Sequence, residues 1–254
     1  MYAVAKKAEE AAAPRTPEDP LKPITTIRVG GLALVLGAVA FMAVFSYLAA
    51  RFDYPAVLDG PAGTVLPRLL ATGASGRAAW ALYAFLPLCW LPAGVGAYCA
   101  LRRFAPGAML LALQWAVVSA ISMMLGLMRW PSVHWHQAQL QATATPEQQP
   151  LIAAVFDGLN TYLGNYIGEF LGELSFSMFF LLSSWTLLRS RAAPTWVAGL
   201  GLVTAAAGFV GMFRNISGAV APVAAVNNYL LPLWMIVFGL VLLRHRLPED
   251  PIRS

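Results

Sequence analysis

The sequence predicts an all-α, polytopic membrane bundle of about six transmembrane helices, with short surface helices in its outer loops. Three observations carry this. Of the 254 residues, 59% are hydrophobic and only 11% are charged, and the mean hydropathy is +0.64. An ordinary soluble domain is about a quarter charged. Apolar runs of twenty or so residues recur, the length that crosses a bilayer core of about 30 Å at about 1.5 Å per residue. Recognisable stops separate these runs.

The chain opens on a polar stretch, residues 1–26, whose Pro14, Pro17, Pro20 and Pro23 rule out a long helix. It reads as a cytoplasmic tail. It is too long and too mixed in charge for a secretory signal, and the apolar run behind it is too long for a signal core. Six apolar segments follow, at roughly 27–50, 79–101, 107–128, 166–189, 195–213 and 228–244. They make one membrane domain, 27–246, and leave a second tail, 247–254. Arg102 and Arg103 close the second segment, and Pro106 and Gly107 open the third. Arg189 and Arg191 close the fourth, and Pro194 precedes the fifth. Pro87 and Pro92 are expected to bend the second.

Orientation follows from charge. With the N-terminus inside, twelve of the 17 Lys and Arg residues fall on the cytoplasmic side and five outside. Cationic residues resist translocation, so both termini are expected in the cytoplasm. The same rule explains the net charge of +5. Nucleic acid is not an expected partner, because no basic face carries interleaved aromatics. Cys89 and Cys99 lie on one helix, about 15 Å apart along its axis, too far to bond.

The cytoplasmic connections are a few residues long, whereas two outer loops are long. Residues 51–78 carry a short helix, with Asp59 as a cap, Pro61 in its first turn and an apolar side of Leu66, Leu69 and Leu70. Residues 129–165 hold helices too, one starting near 147–151. Any elaborated site therefore belongs to the outer face.

The chain has only 12 acidic residues, yet Asp157, Glu169 and Glu173 sit on or beside the fourth membrane segment. Measured from Arg189, Glu173 lies about 24 Å and Glu169 about 30 Å along the axis. A carboxylate at that depth needs water, a proton or a partner. Asp157, Thr161, Asn165, Glu169, Glu173 and Ser177 form an i+4 row, of which Asn165, Glu169 and Glu173 can line one pocket. Gly164, Gly168 and Gly172 form a second row beside it, which would let a neighbouring helix or a partner membrane protein approach closely. The same topology brings Arg129, Arg214, Asn215, Asn227 and Asn228 to this level. Arg214 or Arg129 is expected to pair with Glu169 or Glu173.

His134 and His136, with an acid, could hold zinc or copper, provided that their segment is extended. The chain has no nucleotide loop, nucleophile elbow, CxxC pair or metalloprotease helix. No lysine falls in a membrane segment, which excludes a retinal Schiff base.

The stretches FDYPAVLDGPAGTVLPRL, LMRWP and LNTYLGNYIGEFLGEL, in that order, resemble a bacterial family of multi-pass membrane proteins, domain of unknown function 4386. The resemblance covers most of residues 25–245. It implies a polytopic protein of the bacterial cytoplasmic (inner) membrane and no known activity. A histidine commonly follows the first Glu of this stretch in the family, and here Phe170 stands there, which weakens a metal model on this helix.

Three functions stay open on these readings. One is an accessory or binding protein whose outer pocket holds a small molecule or lipid, with no cofactor. Another is a metal-assisted membrane enzyme using the Glu and His groups. The third is a small-solute transporter, disfavoured by the lack of a visible repeat.

Overall fold

The computed structural model describes residues 23–245, except for the side chain of Asp59. The tails, 1–22 and 246–254, lie outside the described residues. No strand occurs among the described residues.

Helix α1 is Pro23–Phe52. It begins four residues before the predicted segment, because proline at the first helical position loses no hydrogen bond. Helix α2, Ala62–Ala71, is the expected short helix of the first long loop. Pro61, not Asp59, occupies its N-cap position, so the helix starts two residues later than expected. The second membrane segment begins early, with α3 at Gly73–Phe85. A tight 3-10 turn at Leu86–Cys89 joins it to α4, Trp90–Leu101. Pro87 falls in that turn. Pro92 falls in the first turn of α4, where proline is tolerated.

Helix α5, Pro106–Met128, runs through a wide π turn, Trp130–His134, into α6, Trp135–Gln141. Pro131 has no N–H to give to an i−4 carbonyl, and the chain widens so that the His134 N–H reaches the Arg129 carbonyl at 2.8 Å. Helix α7, Gln149–Leu159, continues through a π-helical stretch, Asn160–Leu171, into α8, Gly172–Ser190. Helices α9, Thr195–Gly211, and α10, Ala221–Leu243, complete the chain. Asn227 and Asn228, expected to open the last helix, lie inside it.

Among the described residues, six stretches are long and apolar enough to cross a membrane. Two of them, of 36 and 42 residues, far exceed a bilayer. Their excess length stands at one end of the bundle, where α6 and α7 pack on α2 as a helical cap.

The membrane helices form a closed ring. Each packs on its neighbours in the chain, and α10 closes on α1. Glycine makes the closest approaches. Gly30 faces Gly96 between α1 and α4, and Gly31 faces Gly239 between α1 and α10. A Cβ on Gly126 would lie 2.5 Å from the Gly168 Cα, so α5 and the α8 segment touch backbone to backbone.

Two apolar cores result. One fills the bundle with Trp90, Phe176, Phe179, Phe180, Trp234 and Phe238 among small residues. The Phe180 and Trp234 rings lie 4.3 Å apart. The other joins the cap to the bundle through Phe52, Leu66, Trp80, Tyr83, Trp130 and Phe156. Trp80 and Trp130 stack at 4.9 Å.

Candidate functional site

Between the two cores lies a cavity of about 120 Å³. That is room for several waters or a small organic group. One wall is aromatic: Phe41 from α1, Tyr54 after it, Tyr83 from α3, Trp90 from α4 and Phe176 from α8. The other wall carries Arg129, Glu169, Glu173, Arg214 and Asn228. Tyr54 lies between two membrane stretches, and burial pushes its phenol above the ordinary value of 10.0.

The acids are placed by the long fourth stretch. Glu169 sits near the end of its π-helical part, and Glu173 in the first turn of α8. Arg214 comes from a 3-10 turn, Met212–Asn215, that ends the fifth membrane stretch. Its guanidinium pairs with Glu173 Oε1 through Nη2, and its Nε lies 4.0 Å from Glu169 Oε2. The Nε donates to the Gly211 carbonyl at 3.2 Å. Asn215 Nδ2 donates to Glu169 Oε2 at 2.7 Å. One arginine is thus shared by two carboxylates. Glu173 is 8% exposed, and its Oε2 has no hydrogen-bond partner in the protein. The expected pairing of Arg214 with the acids is present, and Arg129 is not part of it.

Arg129 follows a different plan. It is 5% exposed and makes no ion pair among the described residues. Its Nε donates to Asn160 Oδ1 at 3.1 Å, and its Nη1 donates to the Gly126 carbonyl. Asn160 Nδ2 in turn donates to the Leu58 carbonyl at 3.0 Å. The guanidinium also lies 5.1 Å from the Trp130 ring centre. It passes directly over Gly164, where any Cβ would collide with it. The cation is therefore fixed by dipoles and a ring face.

Several expected site residues fall elsewhere. Asn165 does not line the cavity. A π turn takes more residues than an α turn, so the i+4 row rotates away from its α-helical course. Asn215 acts only through Glu169. Asn227 is buried against Gly208 and does not line the cavity.

The histidines separate because their segment is helical. His134 is fully buried, with Nδ1 2.8 Å from Gln137 Oε1 and its ring 4.6 Å from Phe156. His136 is exposed. The two do not fit a shared zinc or copper ion, and the described residues contain no metal-binding group of three or more His, Cys, Asp or Glu.

The glycine row is also used internally. Gly164 accommodates Arg129, Gly168 meets Gly126, and Gly172 meets Met123. The surface expected to receive a partner protein is covered by the chain's own α5.

A family model described as a domain of unknown function, DUF4386, matches residues 29–243. The chain belongs to this family. The match takes in all six membrane stretches in whole or in part, and every residue lining the cavity. No curated protein and no solved structure matches the chain.

The aromatic wall was not legible in the sequence. Its members come from four separate stretches, and each looks alone like a core or interface aromatic. The one local signal was Trp90, set between Pro87 and Pro92 at a break in the second segment.

Proposed function

We propose that this is a multi-pass protein of the bacterial inner membrane, with both termini cytoplasmic, that binds a small molecule in the cavity beneath an outward-facing cap. One observation carries the reading. Two arginines and two glutamates converge on a cavity, and they do not neutralise one another pairwise. A purely structural clamp would close its own charges, because unpaired charge within a membrane is costly. An apolar cleft with a few convergent polar groups is the usual form of a ligand site. The charge split along the chain supports the orientation.

The test fills the cavity. Leu231 lines it from α10, and Leu231→Trp would occupy much of the free volume. Mass spectrometry of protein purified from its native membrane should find a small molecule retained by the wild type and lost from this variant. Melting temperatures within a few degrees of each other show that both are folded. Met123→Trp fills the cavity from α5 and serves if the first variant does not fold. Retention of the same molecules by the filled variants would refute the reading.

A further inference from the structure

We infer that the cavity takes a zwitterionic small molecule with a compact apolar body, its anionic group on Arg129 and its cationic group on Glu173. The inference rests on the ligand reading above and specifies the ligand's chemistry.

The cavity is electrically polarised. At one side Glu169 and Glu173 share Arg214, which leaves negative charge in excess. At the other, Arg129 makes no ion pair with an acid among the described residues. Both poles line the same space, yet they form no ion pair with each other. Opposite charges in a low-dielectric site attract strongly, so holding them apart costs stability unless something lies between.

The hydrogen-bonding needs agree with the charges. Glu173 Oε2 is a buried acceptor with no donor. The indole N–H groups of Trp90 and Trp130, which also line the cavity, are buried donors with no acceptor. A carboxylate on Arg129 would supply acceptors, and an ammonium at Glu173 would supply donors. Phe41, Tyr54 and Tyr83 give the rest of the ligand an aromatic surface, which suits an aliphatic body and also a cation. A free volume of about 120 Å³ limits that body to a few carbons. An apolar cavity of about 150 Å³ accepts one benzene ring. Water alone would satisfy the hydrogen bonds and leave the charges separated without compensation.

Three probes share one 3-methylbutyl body: leucine carries both charges, 4-methylpentanoate the negative one, and 3-methylbutylamine the positive one. Binding is measured by calorimetry on the full chain in nanodiscs at pH 7. Leucine should bind at least tenfold more tightly than either analogue. Glu173→Gln should lower leucine to the level of the acid, and Arg129→Gln to the level of the amine. Arg129→Lys keeps the charge and should retain most of the binding, which separates loss of charge from loss of fold.

Equal binding of all three probes would overturn the inference, leaving only an apolar pocket. So would either single-charge analogue binding as tightly as leucine. Absence of saturable binding by leucine would overturn it as well. In each of these cases, a molecule that the wild type retains and Leu231→Trp loses would leave the ligand reading standing while the charge assignment fails.

Discussion

The capped half of the bundle and the opposite half are built on different rules. In the opposite half, the parts of α4, α5, α8, α9 and α10 that lie there run as unbroken α-helices around aromatic and small side chains. In the capped half, every tightened or widened helical turn among the described residues occurs, including both π stretches. The acids whose side chains are described are all there too: Asp53, Glu147, Asp157, Glu169 and Glu173. The far end carries Arg102, Arg103, Arg189, Arg191 and Arg244 with no acid among the described residues. Regular helices satisfy their own backbone and need only apolar contact. Irregular turns are tolerated at membrane depth where they are enclosed by protein or line a cavity. Most of them contribute residues to one cavity, which marks that half as the one shaped for something beyond stability.

Two substitutions sharpen the contrast. The largest effect is expected from Arg214→Gln in the capped half. It strands Glu173 in a site that is 8% exposed and removes the partner shared with Glu169. Breaking a buried pair by removing one side costs about 3–5 kcal/mol. Unfolding in mixed micelles should show a loss of that size, and Arg214→Gln with Glu173→Gln should recover part of it. A loss below about 1 kcal/mol would mean that the pair is solvated.

The smallest effect is expected from Ser184→Ala in the opposite half. The Ser184 hydroxyl is buried with no partner in the protein. Removing an unsatisfied polar group is neutral or stabilising, so stability should change by less than about 0.5 kcal/mol in the destabilising direction. A loss of several kcal/mol in the same assay would show that polar groups matter equally in both halves.

The contrast also explains what could be read from the sequence. The six crossings, the short helix near Pro61 and the helix start near Pro150 are local properties of hydropathy, proline and arginine. So is the depth of Glu169 and Glu173, which follows from counting back along a helix. The pairing with Arg214 was legible because topology places both at one level. The π turns were not, because nothing in LNTYLGNYIGEFL distinguishes i→i+5 from i→i+4 bonding until the segment packs on Gly126 and Arg129. Asn165 was misplaced for that reason, and Asn227 and Asn228 because the last helix starts seven residues early, at Ala221. The glycine row was read correctly as a close-packing surface. Its partner could not be identified without the fold, and it is the chain's own Gly126, Met123 and Arg129.

The central claim is that charge in the capped half serves a ligand, and Arg129 tests it most directly. A clamp residue contributes to stability, whereas a buried cation held for a ligand detracts from it when the site is empty. Arg129→Gln removes the charge and keeps a side chain able to reach polar neighbours. The decisive measurement is the melting temperature of delipidated Arg129→Gln beside the wild type, with mass spectrometry of what each retains from the native membrane. The account predicts an unchanged or higher melting temperature in the variant and loss of the retained molecule. A melting temperature lower by ten degrees or so, roughly what a few kcal/mol would produce in a chain of this size, with the same molecules retained, would contradict it.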